Sequence, residues 1–257
     1  MPRLPYDSDL HDAEWTCIAP YVVQQAGPGR KRTIDIREVV HALCYLSKTG
    51  CQWRMLPHAF PPWTHVAYSD YQWLSAGTLE HSNACVREAI RIALGRDAEP
   101  SVTISDRQSV KTARHAEARG YDSAQQVKGR KRPLLVDTLG LLVLIIVTAA
   151  SVQDSEVGQE LLIDGRTKTR RLQKVYADQG DNAWLVEWIL RWKAFLLEIV
   201  TKPPDQVGFQ VHPKRWIVER TVAWFGNDRR LSKDYERTVV SSEGMIRCAA
   251  MRHMVRK

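Results

Sequence analysis

No apolar run in these 257 residues is long enough to cross a bilayer. The longest, Leu139 to Ala150, is interrupted by Gly140 and falls short of the roughly 20 residues a membrane helix needs. It reads as buried strand. The first residues, Met1 to Asp7, hold two prolines and no hydrophobic segment of a secretory signal. Cysteine is scarce and unpatterned: Cys17, Cys44, Cys51, Cys85 and Cys248 form no Cys-X-X-Cys pair and no zinc spacing with histidine. An odd count in apolar settings reads as reduced thiols, so a soluble, cytoplasmic protein with no membrane partner is expected. The histidines, among them His58, His65, His115 and His212, have neither ligand spacing nor a nucleophile partner. That weighs against a zinc site or a hydrolytic triad. Low-complexity tracts and internal repeats are absent as well.

What is abundant is positive charge. Lys and Arg number 37 against 29 Asp and Glu, a net charge of +8. The basic residues gather in Arg30 to Arg32, in Lys128, Arg130, Lys131 and Arg132, in Arg166 to Lys174 and in Arg252 to Lys257. One such run is ordinarily a solvated face. Four of them with that total favour a polyanionic partner, nucleic acid above all. Hydrophobic residues make up 44% of the chain, enough to bury a core in one large or two smaller domains.

Residues 1–97 read as an all-α region. Asp12 to Val22 carries Trp15, Ile18, Ala19 and Val22 on one stripe. Asp35 is a helix cap with Glu38 three residues on, and Ile36, Val39, Val40 and Leu43 follow to a stop at Gly50. Pro57 to Pro62 break the pattern, Thr64 caps a third helix, and Leu79 to Leu94 form a fourth. After a linker over Gly95 to Pro100, residues 98–257 change character to α/β. The spacing predicts a strand over Ser101–Ser105, a basic loop to about Arg130, and a hairpin of Lys131–Asp137 and Leu141–Thr148. A helix around Ser155–Ile163, a strand over Lys174–Ala177, a helix over Asn182–Lys193 and a strand over Leu197–Lys202 follow. Helices over Lys214–Asn227 and from Ser241 end the chain. This order implies a mixed sheet with helices on its faces.

Three acids stand out in the second part. Asp106 and Asp178 each end a predicted strand, where α/β sheets bind ligands. Glu219 lies on a helix beside the apolar stripe of Ile217, Val218, Thr221, Val222, Trp224 and Phe225, with Arg215 four residues before it. Each alone has an ordinary reading, a turn cap for the aspartates and an exposed ion pair for Glu219. Together, in a basic chain, they suit two Mg²⁺ or Mn²⁺ ions and a phosphodiester. Arg215 would hold a phosphate as a planar fork, and Arg220, Arg229, Arg230 and Lys233 lie close in sequence. Asp137, Asp154, Asp164 and Glu236 compete for the acidic role. Asp137 reads as a hairpin-turn residue, Asp154 and Asp164 lie in predicted loops, and Glu236 lies between two helices.

These residues carry a resemblance that runs nearly end to end. Asp35 to Val40, Thr49 to Pro57, Phe60 to Trp63, Asp106 to Thr112, Gly120 to Asp122, Val127 to Arg132, Leu134 to Leu141, Ala177 to Gly180, Lys214 to Thr221 and Arg229 to Glu236 resemble, in order, the DDE transposases of bacterial insertion sequences, insertion sequence 5 family. The resemblance implies a ribonuclease-H-like catalytic core. It implies Asp106, Asp178 and Glu219 as catalytic metal ligands; in a two-metal transfer Asp106 would bridge the ions and the other two would each complete one. It implies that residues 1–97 help bind the terminal inverted repeats, with a homodimer on paired DNA ends and target DNA as the second substrate. The family's Y-R-E-K signature maps in part: Arg215 and Glu219 match, His212 stands where Tyr is expected, and Gly226 stands at the lysine position. Arg229, Arg230 or Lys233 would then supply that charge. Lys128, Arg130, Lys131 and Arg132 are candidate DNA contacts. A DNA-binding derivative without catalysis, or a metal-dependent nuclease that cuts without joining, are the alternatives.

Overall fold

Asp35 accepts a hydrogen bond from the Arg37 amide at 2.8 Å and caps helix α2 (Ile36–Thr49) at the residue the sequence indicates. The computed structural model describes residues 3–22, 34–178, 189, 195–200 and 214–256. The predicted helix over Asn182–Lys193, save Ile189, and His212 lie outside these. Glu38 does not complete a capping box. Its carboxylate is taken by Arg3 at 2.6 Å and by His41 at 3.2 Å. Gly50 ends α2 with φ 68°, a left-handed conformation that costs glycine least, and its N–H returns to the Leu46 carbonyl. The helix's orphan carbonyls at Ser47 and Lys48 accept from the amides of Arg230 and Arg229, which come from the far end of the chain.

Helices α1 (Asp12–Val22), α3 (Trp63–Ser75) and α4 (Thr78–Ala93) complete the N-terminal region. α3 starts one residue before the predicted Thr64 cap. Pro62 holds the cap position and offers no side-chain acceptor, so the rigid Pro61-Pro62 entry sets the start.

The sheet has seven strands in the order β2-β3-β1-β6-β7, with β4 and β5 also paired to β3. Its strands are β1 (Val102–Lys111), β2 (Gly120–Asp122), β3 (Val127–Asp137), β4 (Leu142–Ile145), β5 (Thr148–Ala149), β6 (Lys174–Asp178) and β7 (Leu196–Val200). β3 lies antiparallel to β1, while β6 runs parallel to both β1 and β7, so the sheet is mixed as expected. Two strands exceed their predicted lengths. β1 continues from Asp106 to Lys111, and β3 begins at Val127, inside the predicted basic loop. The reason is that Arg107 to Lys111 pair with Gly129 to Pro133, where Gln108 meets Arg132 and Ser109 meets Lys131, so neither strand shows apolar alternation. Pro133 sits where β3 changes partner from β5 to β4. Its carbonyl and its missing N–H share the side facing that gap, and the carbonyl accepts from Ile146.

Helix α5 (Asp154–Lys168) covers one face of the sheet, burying Leu161 and Leu162 against Leu135, Val175, Ala177 and Leu197. It contains Asp154 and Asp164, which the sequence places in loops. Helices α6 (Arg215–Gly226) and α7 (Val239–Val255) cover the other face. There Ile217, Val218, Phe225, Met245 and Ile246 pack on Ile104, Leu134, Val136 and Tyr176. α7 starts at Val239, two residues earlier than predicted, because the Thr238 hydroxyl caps it by accepting from the Ser241 amide at 3.1 Å. Further along, its Cys248, Met251 and Met254 join Ile18, Val22, Leu43, Trp73 and Leu79 of the N-terminal helices. One helix therefore serves the core of the sheet and that of the helical region.

Candidate active site

Register explains how two distant aspartates meet. The parallel ladder aligns Val102 with Lys174 and Ile104 with Tyr176. Two residues further along each strand stand Asp106 and Asp178, on the face of Ile104 and Tyr176, because side chains alternate with period two. That is the face on which α6 packs. The sequence places Asp106 at the end of its strand; it stands within β1, opposite Leu134 of β3. Asp178 is the last residue of β6, as predicted.

Glu219 comes from the exposed edge of α6, and Arg215 one turn earlier joins it to the sheet. The Arg215 guanidinium bonds Glu219 at 3.0 Å and forms an ion pair with Asp178. It also feels the charge of Asp106. The start of α6 is fixed by Lys214, whose ammonium donates to the Tyr176 hydroxyl at 3.0 Å and lies 4.7 Å from that ring's centroid. Hydrogen bonds from Lys214 and then Lys174 lower the Tyr176 phenol pKa. Burial pushes the Asp106 carboxyl above the usual carboxylate range, and the charges of Glu219 and Asp178 add to it. The Arg107 amide and Arg215 oppose the shift.

The structure thus joins Asp178 and Glu219 through one guanidinium, with Asp106 near enough to feel its charge. All three offer oxygen donors, the type hard divalent cations take, and a cation already stands among them. The donor set fits Mg²⁺ or Mn²⁺. As the side chains stand, no group of three or more His, Cys, Asp or Glu among the described residues is arranged to hold an ion.

Of the competing acids, Asp137 and Glu236 are engaged elsewhere. Asp137 is fully buried, bonds Arg91 at 2.5 Å, and accepts the amides of Leu139 and Leu141 at its turn. Glu236 bonds Arg230 at 2.7 Å. Asp154 holds Lys131 at 2.5 Å and Arg107 at 3.3 Å in a pocket that Asp106 and Asp178 also line. Its sequence signal, an acid just after the Val152-Gln153 turn, is too common to have marked it.

The predicted DNA contacts divide by burial. Lys128 and Arg229 are exposed, Lys233 is half-buried beside Tyr235, and Arg220 lies between the rings of Trp216 and Trp224, 4.7 Å from each centroid. Arg130, Lys131, Arg132 and Arg230 do not fit the phosphate-contacting role, since they point inward. Arg130 is 0% exposed and donates to Asp234 at 3.2 Å and to the carbonyls of Glu117, Glu236, Arg237 and Thr238. Arg132 reaches the same Asp234 at 3.5 Å and the Leu231 carbonyl at 2.7 Å. This basic run ties β3 to the loop before α7, which no local pattern reveals.

No helix among the described residues is long and apolar enough to cross a membrane. No individual curated protein matches the chain. Two families do. Residues 10–83 match one described as transposases of the IS4/5 family, and residues 97–253 match the transposase DDE domain. A DDE domain implies a ribonuclease-H-like fold, an enzyme that cleaves and transfers DNA strands, and the use of divalent metal ions. With more than half its length matched by the DDE domain, the chain belongs to the DDE transposases of the IS4/5 type.

Proposed function

We propose that Asp106, Asp178 and Glu219 are the metal-holding acids of this transposase, and that it acts by two-metal phosphoryl transfer at the ends of its insertion element. The observation that carries this reading is the in-register placement of Asp106 and Asp178 on the α6 face, with Glu219 joined to Asp178 through Arg215. Two bound Mg²⁺ or Mn²⁺ ions supply stabilisation of the attacking and leaving oxygens of an in-line displacement. The chain's own part is positioning. β1 and β6 fix two carboxylates on neighbouring strands, and α6 delivers the third from a buried stripe, which fixes how far it reaches. Arg215, on the same turn as Glu219, matches a backbone phosphate as a bidentate fork. Lys128, Arg229, Lys233 and Arg220 would meet further DNA phosphates. Residues 1–97 contribute recognition of the terminal inverted repeats, and two copies assemble on paired ends.

Nicking and joining of end oligonucleotides, with Mg²⁺ or Mn²⁺ against EDTA, test this reading. Asp106→Asn, Asp178→Asn and Glu219→Gln each lose both steps while retaining DNA binding. Strand transfer retained by any one of them would remove that residue from the site. Cutting without joining in the native chain would favour the nuclease alternative.

A further inference from the structure

Arg215 stands where a metal would be useful. Its guanidinium is shared between Asp178 and Glu219 and lies within the field of Asp106. Three carboxylates and one guanidinium leave a formal charge of −2, which balances one divalent ion and leaves a second opposed by Arg215. The acids, drawn to Arg215, are not arranged to ligate an ion among themselves. Metal loading therefore requires this side chain to leave.

We propose that the Arg215 guanidinium is a built-in counter-ion that holds the three acids closed to metal until a DNA phosphate draws it away. This rests on the metal-holding reading of Asp106, Asp178 and Glu219 above. A guanidinium's planar fork fits phosphate as well as it fits carboxylate, so DNA offers Arg215 an exchange of partners rather than a loss. The side chain is 21% exposed, within reach of such a ligand. The residue before it, Lys214, has φ 69°, a conformation rare for a side-chain-bearing residue, and is pinned to Tyr176. Lys214 thus anchors the helix start while Arg215 swings on its own side-chain torsions. DNA and divalent metal then load cooperatively, and each tightens the other by the same factor.

Mn²⁺ binding measured by titration calorimetry on the full chain tests this, for wild type, Arg215→Gln, Arg215→Lys, Asp106→Asn and the double variant of Asp106→Asn with Arg215→Gln. Each is taken alone and with a short DNA duplex of arbitrary sequence, and the duplex's own Mn²⁺ uptake is subtracted. Without DNA, Arg215→Gln binds Mn²⁺ about tenfold tighter than wild type, a coupling of ordinary size. Arg215→Lys, which keeps the charge, stays near wild type. The duplex tightens Mn²⁺ binding to wild type and changes Arg215→Gln little. If Arg215→Gln binds Mn²⁺ no tighter than wild type while Asp106→Asn still weakens binding, the counter-ion is overturned and the metal site stands. If Asp106→Asn alters Mn²⁺ binding neither with DNA nor in the Arg215→Gln background, the metal reading fails and the proposal with it.

Discussion

Replacing Arg130 by alanine separates a basic residue that binds DNA from one that binds the protein itself. In the folded chain its guanidinium is 0% exposed and satisfies Asp234 together with four carbonyls from two separate loops. Asp234, also fully buried, would keep the Ser242 hydroxyl at 2.6 Å, the Glu236 amide at 3.0 Å and the more distant Arg132. Removing one partner of a buried pair costs about 3–5 kcal/mol, a large share of the roughly 5–15 kcal/mol that keeps a domain folded. Lys128, two residues earlier and exposed, should cost less than about 0.5 kcal/mol when truncated. Urea unfolding of the two variants reads this difference directly. DNA affinity measured against salt gives the complementary readout. Lys128→Ala flattens the salt slope by about 0.9 if it neutralises one phosphate, and Arg130→Ala, at a temperature where it stays folded, leaves the slope unchanged. An Arg130→Ala protein as stable as wild type but with a flatter slope would refute the assignment and return this residue to the DNA surface.

Two other substitutions probe the frame around the site. Asp70 is buried on α3 with its Oδ1 unpartnered, and burial first, then the charge of Glu236, raises its pKa to about 7 against the opposing Arg230. A raised carboxyl pKa means that the folded state holds the proton more tightly. Its contribution is therefore complete below about pH 4, falls as pH rises, and is lost above about pH 7, at most about 4 kcal/mol. Asp70→Asn removes that slope, so its urea midpoint gains on wild type between about pH 4 and about pH 7; parallel curves would show that Asp70 is solvated. Gly129 lies in β3 opposite Lys111, and a Cβ there would overlap the Val110 carbonyl. Gly129→Ala must then push β1 and β3 apart, giving a loss of more than about 3 kcal/mol in unfolding experiments, whereas near-native stability would mean that the strands yield freely.

Local chemistry was legible in the sequence, and long-range pairing was not. The ends of α2 follow from Asp35 and Gly50, α1 from its apolar stripe, and the end of β6 from Asp178, all features within a few residues of one another. β1 was cut short because its second half pairs with the polar residues of β3, so burial left no alternation to read. The run Lys128 to Arg132 looks alike along its length, yet Arg130 and Arg132 face Asp234, about a hundred residues away. Charge alone could not separate them from Lys128. The same limit applied to the acids. Spacing left Asp137 and Glu236 as rivals, the resemblance chose Asp106, Asp178 and Glu219, and the strand register gives the physical reason why the first two can meet.

The helical region shares its core with the last helix. Residues 1–97 alone would keep Ile18, Val22, Leu43, Trp73 and Leu79 but lose Cys248, Met251 and Met254 of α7, which pack among them. Burying two methionines and a cysteine contributes about 4–6 kcal/mol at ordinary burial energies, comparable with the whole stability of a small domain. The amides of Arg229 and Arg230, which satisfy the last turn of α2, would be lost as well. A fragment of residues 1–97 should therefore show weak helical circular dichroism with no cooperative melt, and adding a peptide spanning α7 should raise both. A fragment that melts sharply alone would mean that these helices make a self-sufficient core. If it does not, α7 belongs to the core of both parts, since its Met245 and Ile246 pack on the sheet face that carries Asp106. Strain introduced in residues 1–97 would then reach the face of Asp106 through packed side chains.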